Sequence, residues 1–222
     1  MNIQPYLNEI TPLLPLNQSL TYNTNHWQNY NFTNPNVPSR IQFIIANYPD
    51  LISRNDIINY LRSPNMDLLT GFLMSMIWGH GAGPHGNMDN RGPFKVSEMT
   101  SDIANTNLIL ATCHTALQNN DILTAFNAFK PMKRIRVNFF SKYLYFLGRS
   151  LDLERYPLIF DARVASTMCR INSINIEVFN LLTITPGQRF TTYESYLNMI
   201  HQQSRMHNVD SEKIEYYLFL NA

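Results

Sequence analysis

One segment dictates how the rest of the chain must be arranged. Around Phe139, Phe140, Tyr143, Leu144 and Leu147 the sequence reads as a helix that is apolar nearly all round. Such a helix has no face to give to water, so it must lie in the middle of the fold with other elements packed about it. Gly148 is read as its C-terminal stop. A lysine, Lys142, sits within this apolar helix.

The remaining pattern supplies helices to surround it. Ile41, Phe43, Ile44 and Ile45 give a short apolar face on a helix from Ser39. Ser53 with Asp56 three residues on has the form of a capping box, opening a helix through Ile57, Ile58 and Leu61. Leu68, Leu69, Phe72, Leu73, Met76 and Ile77 predict an amphipathic helix that ends at the glycine-rich Gly79 to Gly86. Further helices are expected after Ser101, after Asp121 up to Pro131, from a Thr191 cap with Glu194, and over Ser211 to Leu220. The N-terminal third, with Pro5, Pro12 and Pro15 and an asparagine-rich stretch, reads as surface wrapping. Ser173 to Val178 is ambiguous between strand and helix. The expected fold is mainly α-helical, a single domain over residues 1–222.

Composition narrows the function classes. The net charge of +1 means that affinity for a polyanion must come from local clustering. Cys113 and Cys169 are isolated and show no metal-type spacing, which excludes a four-cysteine iron–sulfur cluster and disfavours zinc. The first residues lack a basic region followed by an apolar run, and no long uninterrupted apolar window occurs. A soluble, cytoplasmic, monomeric protein without metal or cofactor is the expectation.

Chemistry concentrates between residues 121 and 170. Lys130, Lys133, Arg134, Arg136, Lys142 and Arg149 occur with no acid between Asp121 and Asp152. Ile135 and Val137 interleave with Arg134 and Arg136, giving one anchoring and one basic side, as a segment docked on a phosphate backbone needs. Asp161 then follows the buried-looking run Tyr156 to Phe160 and opens a helix, where unpaired N–H groups favour its ionised form. An ordinary N-cap and a solvated charge run are the bland alternatives.

RIRVNFFSKYLYFLG followed by PLIFDARVAST resembles the helix-hairpin-helix DNA glycosylases, particularly the bacterial branch with an 8-oxoguanine glycosylase-like fold. A weaker echo lies at WGHGAGPHGNMDNRGPFKV. The resemblance implies two helical lobes around a cleft and double-stranded DNA with a flipped modified base as the partner. It implies that Asp161 drives cleavage of the N-glycosidic bond, and that Lys133, Arg134, Arg136, Asn138 and Arg163 contact the DNA. The hairpin of the family carries two glycines where this chain has Arg134 and Arg136. Bifunctional relatives place a Schiff-base lysine in the second hairpin helix. Counting back from Asp161 assigns that role to Lys142, whereas aligning the hairpin puts Asn138 there. The hairpin alignment is preferred and implies a monofunctional enzyme that uses water. Trp78, His80 and His85 are candidates to line the base pocket by stacking and hydrogen bonding, against a plain interhelical loop.

The implied substrate is either an oxidised purine such as 8-oxoguanine, in repair, or the glucosylated hydroxymethylcytosine of phage DNA, in antiviral defence. A non-catalytic DNA-binding or lesion-sensing module is the alternative from another class, and a helical protein-interaction domain a third.

Overall fold

In a computed structural model, the described residues are 1–82, 91–172 and 190–222. The candidate pocket residue His85 and the ambiguous stretch 173–178 therefore lie outside them. The fold is mainly helical. In chain order the α-helices are α1 (Leu7–Ile10), α2 (Thr24–Gln28), α3 (Asn36–Asn47), α4 (Arg54–Arg62), α5 (Leu68–His80) and α6 (Gly92–Met99). Then follow α7 (Ile103–Gln118), α8 (Ile122–Ala128), α9 (Val137–Ser150), α10 (Ala162–Asn172), α11 (Phe190–His207) and α12 (Ser211–Leu220). None of the described helices is long and apolar enough to cross a membrane.

Helix α9 is central, as its sequence demands. It packs on α4, α5, α7 and α8, and the run Phe140 to Gly148 is buried throughout. Each large apolar side chain removed from water there contributes roughly 1.5–3 kcal/mol, so α9 organises one continuous core. Gly148 does not end this helix, which continues to Ser150. A Cβ there would lie 2.7 Å from Cδ of Pro157, so the glycine is needed for close packing against the returning chain.

Local signals place most helix starts. Ser53 and Asp56 form the reciprocal capping box. Asp67, Asp102 and Asp121 each accept the backbone N–H of the third residue of α5, α7 and α8. Helix α3 starts three residues before the expected Ser39, because a proline in the first turn displaces no intrahelical hydrogen bond. Helix α5 is not amphipathic: Leu69 to Trp78 is buried on every side, since α3, α4, α6, α7 and α9 surround it.

The proline-punctuated N-terminus does more than wrap the surface. Ile3 and Ile10 are buried, and the Ile3 amide donates to Gln203 Oε1 at 3.2 Å. Strand β1 (Ser19–Thr21) pairs antiparallel with β2 (Leu51–Ser53), in the register Leu20 opposite Ile52. Thr21 also bridges Ala82 through two backbone hydrogen bonds. Residues 17–20 are thereby pinned beside the C-terminal end of α5, where they form one wall of a cavity.

Candidate active site

The segment Tyr156 to Phe160 is a buried connection held by its backbone. Tyr193 and Tyr196 of α11 donate their hydroxyls to the carbonyls of Leu158 and Ile159 at 2.7 and 2.8 Å. Ser141 of α9 accepts the Phe160 amide at 3.1 Å. His201 Nε2 lies 2.9 Å from the Tyr156 carbonyl and must be its donor. Nδ1 lies 2.8 Å from the Ser211 hydroxyl, and burial pulls the histidine pKa down, which favours a neutral ring whose Nδ1 accepts from that hydroxyl. Four side chains thus fix the segment that leads into Asp161.

Asp161 caps α10. Its Oδ1 accepts the amides of Arg163 and Val164 at 3.0 and 3.1 Å, leaving Oδ2 turned toward Lys142 Nζ at 3.8 Å. Lys142 enters from α9, with its side chain only 8% exposed. Its amine donates to the Asn138 carbonyl one turn back and lies 5.2 Å from the Phe139 ring centroid. Gly79 makes room for it: a Cβ there would come within 3.0 Å of Lys142 Cδ. Burial lowers the lysine pKa from its ordinary value, and Asp161 opposes that shift without cancelling it. The site therefore brings together an amine disposed to lose its proton and a carboxylate with one uncommitted oxygen.

Both groups open into a cavity of about 540 Å³, within the range of roughly 300–1,000 Å³ usual for small-ligand sites. Trp78, Gln18, Arg54, Glu215 and Phe219 help to line it. Arg54 and Glu215 are fully buried and joined by bidentate contacts of 2.7 and 3.3 Å. The guanidinium carbon lies 5.1–5.4 Å from the ring centroids of Trp78, Tyr145 and Tyr216. Burial works against the Arg54 charge, but Glu215 and Tyr145 more than offset it and its pKa ends raised. Among the described residues, no three His, Cys, Asp or Glu side chains group to hold a metal ion.

The sequence candidates separate into three groups. Asp161, Lys142, Trp78 and Arg163 all line the cavity, with the Arg163 guanidinium 4.9 Å from the Phe219 ring centroid. His80 is not among the described lining residues; it stacks on Phe139 at 4.3 Å between centroids and lies 6.4 Å from Trp27. Lys133, Arg134 and Arg136 are exposed on the connection from α8 to α9, whereas Ile135 and Val137 are buried, so the alternation of the sequence is real. Arg134 takes a left-handed φ of 60°, a conformation that costs a non-glycine residue free energy. Asn138 is half-buried and contributes its carbonyl to Lys142. Sequence reasoning missed Gln18, Arg54, Glu215 and the riveting residues Ser141, Tyr193, Tyr196 and His201. They share a place only in three dimensions.

A helical fold that presents a buried amine beside a helix-capping aspartate, with an arginine-bearing connection before the amine's own helix, has the outline of a base-excision protein. The family described as "Putative 8-oxoguanine DNA glycosylase OGG-like protein" matches residues 14–219, and the chain belongs to that family. Neither a curated protein nor a solved structure matches it significantly.

Proposed function

We propose that this protein is a DNA glycosylase that receives a flipped, modified base in the cavity and breaks its N-glycosidic bond. The observation that carries this reading is the 3.8 Å approach of Lys142 Nζ to Asp161 Oδ2 within that cavity. Cleavage builds positive charge at C1′ of the sugar, and a fixed carboxylate beside it stabilises that charge. Asp161 is held for this by two backbone amides on one oxygen, while the other faces the Lys142 amine.

The same geometry supports Lys142 as the attacking group in preference to Asn138, which offers only its carbonyl to the amine. The neutral amine forms a bond to C1′, the base departs with the electrons of the broken bond, and Asp161 takes the proton lost by nitrogen. The resulting adduct opens to a Schiff base. The exposed Lys133, Arg134 and Arg136 lead directly into the N-terminus of α9, which has no side-chain cap. Helix N-termini without such caps attract phosphate. Lys142 lies five residues further on, about 8 Å along the axis at 1.5 Å per residue, so backbone grip and chemistry share one helix.

Borohydride trapping on duplexes bearing candidate bases tests this. A covalent protein–DNA complex that vanishes in Lys142→Gln is expected. Base release without trapping would transfer the attack to water and make the enzyme monofunctional. Duplex binding with no release would leave a lesion-sensing module. The family description favours an oxidised purine over the glucosylated hydroxymethylcytosine of phage DNA, and competition between duplexes carrying each base decides between repair and defence.

A further inference from the structure

Arg54 and Glu215 have no place in that chemistry, yet they occupy the cavity lining with Lys142 and Asp161. A buried ion pair stabilises a fold little better than apolar residues of the same volume, so its position calls for another explanation. The Arg54 Nε donates to Gln18 Oε1 at 2.7 Å, and the Arg54 backbone amide donates to the Gln18 carbonyl at 3.0 Å. Trp78 Nε1 points at that same carbonyl from 3.5 Å. Gln18 is thus tied by backbone and side chain to one residue that is itself clamped by Glu215.

The tie fixes the orientation of the carboxamide. A guanidinium N–H only donates, so the oxygen of Gln18 must face it. Rotating the amide would set two donors against each other in a buried place, where an unmet donor costs free energy. The Nε2 amino group is therefore the end left over, and among the described residues nothing accepts from it. Gln18 lines the cavity.

We infer that Gln18, locked by the Arg54–Glu215 pair, is a donor-only reader that selects a base presenting an acceptor, an exocyclic oxo oxygen in preference to an amino group. This specificity role rests on the reading of the cavity as a base pocket. Trp78 and Phe219 also line the cavity and bring apolar surface, which carries no hydrogen-bond discrimination of its own.

The test compares equilibrium binding of duplexes whose target nucleotide carries a 2′-fluoro sugar, which keeps the glycosidic bond intact. Each target stands opposite an abasic residue, so differences in pairing strength drop out. Matched bases exchange an oxo group and its neighbouring ring N–H for an amino group and a bare ring nitrogen: hypoxanthine and adenine, uracil and cytosine, 8-oxoguanine and 8-aminoguanine. The wild-type protein should favour the oxo member of at least one pair by about tenfold or more. Gln18→Glu keeps an oxygen for Arg54 but turns a second oxygen to the cavity, so the ratio should fall or invert. Gln18→Met, which cannot hydrogen-bond the base, should bring it near one and serves as the measurement if Gln18→Glu fails to fold. An unchanged ratio in a folded variant, or no oxo preference in the wild type, overturns the inference while the glycosylase reading stands. If the wild type binds neither any of these duplexes nor one carrying glucosylated hydroxymethylcytosine better than an unmodified one, no base enters the cavity and both readings fall.

Discussion

Two oppositely charged pairs share the cavity, and they are built differently. Arg54 and Glu215 meet in a bidentate contact with both side chains essentially inaccessible, every carboxylate oxygen engaged and three aromatic rings around the cation. Lys142 and Asp161 stand 3.8 Å apart, with the carboxylate 16% exposed and only one of its oxygens, Oδ1, hydrogen-bonded among the described residues. The first pair has satisfied itself and can only hold shape. The second is left incomplete, and an incomplete pair can still exchange a proton or take a new bond. On the proposed function, finished contacts in this cavity mark scaffold and unfinished ones mark chemistry.

Removing half of each pair should break that contrast open. Glu215→Ala strands a buried guanidinium and is expected to cost about 3–5 kcal/mol of stability, read as a lowered midpoint in urea unfolding. Asp161→Asn should leave unfolding near that of wild type, because asparagine caps a helix as well as aspartate does. Its effect should fall on the rate of base release, with a loss of roughly 10²–10³-fold. If Asp161→Asn destabilised the protein as much as Glu215→Ala, the distinction between the pairs would be wrong.

The pH dependence sharpens the comparison further. Attack needs the neutral amine, so trapping should rise with pH through the pKa of Lys142. Burial sets that limb below the ordinary lysine value of 10.5. Asp161 favours the protonated amine, so the limb of the residual activity in Asp161→Asn should move to still lower pH. A limb at or above the ordinary value, measured from single-turnover rates, would remove the reason for assigning attack to Lys142.

The smallest effects belong to the surface. Arg134→Ala and Arg136→Ala should each weaken all duplexes alike and reduce the log–log salt slope by about 0.9 for every phosphate no longer neutralised. Arg134→Gly should show the same weakening of binding with stability equal to or above wild type, since glycine adopts the left-handed φ at that position without cost. Weakening confined to one lesion would mean that these arginines read bases.

The legible parts of this fold are those that chemistry writes along the chain. Ser53 with Asp56, and Asp161 ahead of Ala162, are local hydrogen-bonding patterns and are found as such. The burial of α9 follows from its own composition. The stripe assigned to α5 misleads because Thr70, Gly71 and Ser75 are small enough to be buried among five neighbouring helices. Lys142 is reachable from Asp161 by counting, while the hairpin alignment points one turn away to Asn138. Gln18, Arg54 and Glu215 carry no local signal: a glutamine between prolines and strand, an arginine at a helix start, a glutamate in a terminal helix. Only the folded chain makes them one device.

That device spans nearly the whole sequence, from Gln18 to Glu215, and this has a consequence in time. A chain emerging from the ribosome carries Lys142 and Asp161 before α12 has been made. Until α12 docks against α10, Arg54 has no carboxylate to clamp it and Gln18 no fixed orientation. If Lys142 and Asp161 react and Gln18 selects as proposed, the reactive pair is synthesised ahead of the means to choose what it reacts with, and selectivity begins only when α12 docks.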